Sequence, residues 1–144
     1  MQTTCKNKAY LALMQTSKEI QECIRAELAK TDLHVTEFSV LEVLYFHGKQ
    51  TIHEVAQRIL VSSGSMTYVI DKLERKNMLK RMPCPDDRRV IHLVLTREGE
   101  EFMQSIMPRH RERVEHLFGS LSEEETDTFI QLLGKVKHQL HAQI

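Results

Sequence analysis

The chain has 144 residues, with 20 basic and 20 acidic side chains, so its formal net charge is zero. Apolar residues make up 41% and charged ones 28%, which supports a folded core and excludes a disordered chain. No apolar run approaches the roughly 18 residues of a membrane span, and the polar start "MQTTCKNKAY" lacks the apolar centre of a secretion signal, so a soluble cytoplasmic protein without a membrane partner is expected.

The spacing predicts a first helix over about Asn7 to Lys30, with Tyr10, Leu13, Met14, Ile20, Ile24 and Leu28 on one stripe. Thr36 is the expected N-cap of "EFSVLEVLYFHG", a helix apolar nearly all round and therefore the most buried element, stopped by Gly48. Thr51-x-x-Glu54 is a capping box, in which side chains at both ends of the first turn satisfy free backbone N–H groups. The helix it opens turns Ile52, Val55, Ala56, Ile59 and Leu60 inward. Val61 and Ser62 form a tight turn. A further helix opens at Ser62–Ser63 and runs to Lys76, with Met66, Val69, Ile70 and Leu73 against the core and Asn77 as a left-handed stop.

The period then changes to two. "LKRM" and "VIHLVL" read as strands, Val90, His92 and Val94 on one face of the second and Ile91, Leu93 and Leu95 on the other. Pro83, Pro85 and the acids near them separate the strands into a hairpin. Thr96 caps "REGEEFMQSIMPRHRERVEHLF", in which Pro108 predicts a kink and Gly119 the end. Ser122-x-x-Glu125 opens a last helix with Phe129, Ile130, Leu133, Val136 and Leu140 on one side.

The zero net charge hides an asymmetry. Arg58 to Arg97 holds nine basic and four acidic residues, a net of 9 − 4 = +5. Such a region suits a partner bound at one place, for instance a phosphate backbone; the plain alternative is solvated surface. Two short helices about a tight turn, followed by a hairpin, make a winged helix-turn-helix. The second helix has small polar residues at its N-terminus, Ser62, Ser63, Gly64, Ser65 and Thr67, so its backbone can approach DNA closely and its free N–H groups can attract phosphate. Tyr68 and Lys72 lie one and two turns further along that side. Double-stranded DNA is the expected partner, against the alternative that these serines only cap and solvate a helix.

The stretch from "LHVTEFSVLEVLYFHG" to "LTREG" resembles the MarR family of bacterial transcriptional regulators. "VSSGSMTYVIDKLE" and Asp87-Arg88-Arg89 leading into "LTREG" carry the likeness, which extends over about Tyr10 to Leu140. It implies a mainly α fold with a small β-wing, in which residues 35–97 form the DNA-binding lobe and residues 1–34 and 98–144 supply dimerisation helices. It also implies a homodimer on a palindromic operator, and repression relieved when a small molecule or oxidation alters the lobe spacing. Arg88 or Arg89 would reach the minor groove or its phosphates, with Asp87 holding an arginine in place. Asn77 stands where the family usually has Gly and serves the same helix stop. Gly64 near the helix start is unusual for the family and would loosen that turn.

Other residues point less sharply. Cys5, beside Lys6 and Lys8, and Cys84, near the wing arginines, are candidate redox sensors; Cys23 falls among stripe residues of the first helix and reads as buried. The alternative is that all three are incidental. The wording around "TYVIDKLE" and "CPDDRR" resembles regulators that respond to quinones and related electrophiles, so a small phenolic or quinone-like effector is implied. His138 and His141 are i, i+3 and His110 and His116 lie too far apart for a pair, so the histidines read as solvated and no metal or other cofactor is expected. Tyr10, Met14, Phe38 and His47 are either core or, as the family suggests, the lining of a ligand pocket. No catalytic motif is present, so no enzyme activity is expected. The competing reading is a winged helix that binds protein, and salt dependence of duplex binding separates the two.

Overall fold

The structure, a computed structural model, describes residues 7–60 and 65–142. Among these are six α-helices, one 3-10 turn and three strands. They form two compact units, Met1–Ser105 and Ile106–Ile144.

In the first unit, α1 (Lys8–Glu27) starts where Asn7 accepts the N–H of Tyr10, and it passes into a 3-10 turn, Leu28–Lys30. The expected stripe is present in sequence, yet no residue of α1 is buried; of the stripe only Leu28, in the 3-10 turn, is. Cys23 is half-buried. The second helix, α2 (Val35–His47), begins before Thr36. Its N-cap is His34, whose Nδ1 accepts the Thr36 N–H, while the Glu37 carboxylate accepts the His34 N–H at 2.8 Å. Nine of its 13 residues are buried, as a helix apolar on all sides requires. Gly48 then takes a positive φ of 72° that a side chain would resist.

The capping box at Thr51 forms in both directions and starts α3 (Ile52–Arg58). Val55 is fully buried, whereas Ile59 is already extended and Leu60 is 82% exposed, so Leu60 is not part of the inner face that periodicity predicts. The fourth helix, α4 (Met66–Arg75), buries Val69, Ile70 and Leu73. It closes with Asn77 N–H donating to Glu74 and Met78 N–H to Leu73, a Schellman arrangement in which Asn77 has φ 60°.

The sheet has three antiparallel strands in the order β1 (Gln50–Thr51), β3 (Ile91–Leu95), β2 (Leu79–Pro83). Leu79 lies opposite Leu95 and Pro83 opposite Ile91, which sets the wing register; Gln50 pairs with Leu93 on the other edge. β1 is absent from the sequence reading because two residues are too short to show a period. Leu41, Val55, Ile70, Leu73, Leu79 and Leu93 make the centre of the unit, each at most 1% exposed. At about 1.5–3 kcal/mol per buried side chain, this cluster fixes α4 against the sheet.

The fifth helix, α5 (Arg97–Leu117), runs through Pro108 as one uninterrupted helix. Thr96 Oγ1 accepts the Gly99 N–H and donates to the Asn77 carbonyl, tying the helix start to the end of α4. In the second unit, the end of α5 is joined to α6 (Glu123–His141) by a turn in which Gly119 N–H donates to His116 and the Ser122–Glu125 capping box forms. The rings of Phe118 and Phe129 lie 6.3 Å apart. No residue of α6 is buried, and Ile130, Leu132, Val136 and Leu140 are exposed. His110 is buried rather than solvated.

Candidate nucleic-acid interface

The outer face of α4 and the wing that follows it form the candidate interface. Ser65 is the N-cap of α4, exposed, and its side chain makes no capping hydrogen bond. Thr67 and Tyr68 are exposed on the first turn, with Tyr68 59% accessible. Lys72 is half-buried, and its Nζ lies 5.5 Å from the centre of the Tyr68 ring. Ser62, Ser63 and Gly64, with the turn expected at Val61, lie outside the described residues, as does Cys5.

Asp71 and Glu74 lie on the same helix, two acids in an element expected to meet phosphate. The wing neutralises them. Arg81 of β2 donates from Nη2 to Asp71 Oδ1 at 2.7 Å and from Nη1 to Glu74 at 2.5 Å. The Asp71 hydrogen bond, with the Glu74 charge beside it, raises the guanidinium pKa further above its ordinary value, against partial desolvation. This clasp also fixes the wing on α4. Sequence reading missed Arg81; the available signal was an i, i+3 acid pair on a helix expected to face phosphate, which requires a nearby cation.

At the wing tip, Val90 N–H donates to the Asp87 carbonyl at 3.0 Å, so Arg88 and Arg89 occupy the two central positions of a tight turn. Cys84 N–H donating to Val90 closes the loop, and the Cys84 thiol is half-buried. The Asp87 carboxylate accepts the backbone N–H of Arg89 at 3.0 Å and its Nε and Nη2 at 3.1 and 3.2 Å. Those bonds lower the Asp87 pKa below its ordinary value. Arg89 is thus oriented by its neighbour. Arg88 is exposed, and among the described residues neither it nor Arg75 nor Lys80 makes an ion pair.

The other expected residues do not converge. Phe38 is core at 3% exposure, while Tyr10, Met14 and His47 are exposed. Among the described residues no cluster of His, Cys, Asp and Glu could hold a metal ion, and no helix is long and apolar enough to cross a membrane.

Comparison with known proteins agrees with this geometry. Residues 33–91 match the MarR family. The HTH-type transcriptional regulator MhqR of Bacillus subtilis is 36% identical over 129 residues, which cover 90% of this chain and 89% of that protein. A crystal structure of Staphylococcus aureus MepR in its DNA-binding conformation superposes with a TM-score of 0.80 at 25% identity, covering 92% of this chain and 97% of that one. Bordetella bronchiseptica BpsR, solved to explain regulation of its DNA binding by 6-hydroxynicotinic acid, shares the fold with a TM-score of 0.76 at 21% identity, over 91% of this chain and 99% of that one. The extent of the MhqR likeness, together with the helix-turn-helix and wing, establishes that the chain belongs to the MarR family of DNA-binding transcriptional regulators, which are not enzymes.

Proposed function

We propose that this regulator acts in the cytoplasm as a homodimeric repressor on a palindromic operator, released by a small phenolic or quinone-like molecule or by oxidation. The observation that carries the DNA-facing part is the Arg81 clasp: it neutralises both acids of α4 and leaves a surface of hydroxyls, Tyr68 and, among the described residues, the cations Arg75 and Lys80 without an ion pair. Ser65, Thr67 and Tyr68 meet base edges and nearby phosphates, with Ser62, Ser63 and Gly64 preceding them in the chain. Lys72 adds a cation on the same side. Arg88 and Arg89 take the flanking minor groove or its phosphates, and Asp87 orients Arg89.

Dimerisation is supported by helices whose apolar residues are exposed among the described residues. Tyr10, Leu11, Leu13 and Met14 of α1 are exposed, as are Ile130, Leu132, Val136 and Leu140 of α6. Exposed apolar surface of this extent marks an association site. The effector class rests on the likeness around "TYVIDKLE" and "CPDDRR" and on BpsR, whose DNA binding responds to a hydroxylated aromatic acid. Cys84, half-buried beside the wing-tip loop, is the described candidate for a thiol response, with Cys5 the other.

A mobility-shift titration on the DNA upstream of its own gene, with and without phenolic acids, quinones and peroxide, tests the reading. Retention of one palindromic segment, lost on adding one of these compounds, is expected. A complex that ignores all of them, or no preference for any segment over random duplex, contradicts it.

A further inference from the structure

Glu37 is an ionisable side chain inside the core: it is 2% exposed, and it lies on α2, behind α4. A buried carboxylate needs compensation. It has it from the His34 N–H at 2.8 Å and from Lys76 Nζ, at 2.9 and 3.2 Å from the two oxygens. Lys76 also donates to the Asp32 carbonyl. Those partners suffice, yet a second ammonium turns toward the same carboxylate. Lys72 Nζ stands 3.9 Å from Glu37 Oε1, beyond hydrogen-bond length, and 5.5 Å from the Tyr68 ring centre. Lys72 is therefore drawn back along its own helix, between a buried negative charge and the face of an exposed aromatic ring. An unrestrained lysine there would extend into solvent and find phosphate as a mobile point charge.

We propose that Glu37 is a positioning residue for sequence readout. Its charge keeps the Lys72 ammonium over the Tyr68 ring, so that lysine and ring present one fixed edge to the major groove. The chemistry that such an ammonium reads is the O6 and N7 acceptor pair of guanine. Glu37 thus favours base discrimination at the expense of backbone affinity. The inference rests on the reading that Tyr68 and Lys72 face DNA.

Operator and random duplex are titrated across a salt series with the full chain. Glu37→Gln keeps a carbonyl oxygen for the His34 N–H, removes the charge and replaces one of the two oxygens that accept from Lys76 by an amide donor. It should lower the operator-to-random affinity ratio about tenfold, the size of one base contact. It should also hold or raise affinity for random duplex, with a log–log salt slope steeper by about 0.9 for each phosphate the released Lys72 reaches. Both changes should disappear in a Lys72→Met background. Equal loss on both duplexes at unchanged slope, or the same changes without Lys72, overturns the proposal and leaves Glu37 a fold-stabilising charge. Lys76→Gln gives a second arm that keeps the Glu37 charge while removing its nearest ammonium: in protein that circular dichroism shows folded, Glu37 should hold Lys72 at least as well and the ratio should not fall. A fall like that of Glu37→Gln overturns the proposal. If Lys72→Met and Tyr68→Ala alone change neither ratio nor slope, the DNA-facing reading itself fails, and the inference with it.

Discussion

Gly99 shows how tightly one residue can be constrained. A Cβ built there would sit 2.0 Å from the Met78 carbonyl oxygen, and backbone on both sides leaves nothing free to move. This gives the glycine of "LTREG" a physical reason: the start of α5 presses on the end of α4. Gly99→Ala should destabilise the fold by about 1–3 kcal/mol, as overpacking a rigid site does, measured by urea unfolding. Asn77 is the milder case. At φ 60° it already occupies the region glycine prefers, so Asn77→Gly should be close to neutral, while Asn77→Val should cost about 1–2 kcal/mol. At the wing tip, Asp87→Ala removes the acceptor of three Arg89 hydrogen bonds without removing a positive charge. DNA affinity should drop less than in Arg89→Ala, and the melting midpoint should barely move in either, because exposed pairs contribute little to stability.

Among the elements, the wing and α4 act as one body through Arg81. Arg81→Met should leave the strand pairs intact but raise amide exchange at the wing tip and weaken DNA binding, since it frees two carboxylates on the helix proposed to face DNA. Unchanged exchange and affinity would show that the clasp is idle. The first turn of α3 offers a pH test. The backbone and side-chain hydrogen bonds of Thr51 hold the Glu54 carboxyl below its usual range. A depressed folded pKa means that this cap stabilises at neutral pH and is lost as pH falls through that lowered value. NMR titration should place Glu54 below its ordinary range, and Thr51→Ala, which removes the hydroxyl but keeps the backbone N–H, should return it only in part. These capping boxes were legible in the sequence because they are local, as were the apolar stripe of α4, the Asn77 stop and the two wing strands. The rest depended on distance. β1 is defined only by pairing with β3, His34 caps α2 through a ring nitrogen outside the usual cap residues, and Arg81 meets Asp71 and Glu74 only once the hairpin folds back. Pro108, from which a kink is expected, lies inside α5, which continues on both sides of the residue. Of the interface, residue types on α4 and at the wing tip were readable, but which charges are already neutralised within the fold was not.

Across the whole molecule, a dense core sets α4 in the first unit, and the second unit carries exposed apolar residues on α6. No residue of α6 is buried, and if this helix supplies the proposed dimer contact, deletion of residues 122–144 should give monomer or aggregate by sedimentation equilibrium. The proposed function depends on α4 and the wing being the parts that meet DNA. The most direct test is fluorescence anisotropy of the intact protein and an Arg88→Ala, Arg89→Ala double variant, on operator duplexes with A·T-rich or G·C-rich flanks, across a salt series. The double variant should bind more weakly, with a log–log slope flatter by about 0.9 for each phosphate that is no longer neutralised. If either arginine enters the minor groove, the weakening should be greater on A·T-rich flanks, whose narrow groove has the stronger negative potential. Unchanged affinity and slope on both duplexes would contradict this placement of the DNA and leave the wing tip a solvated turn.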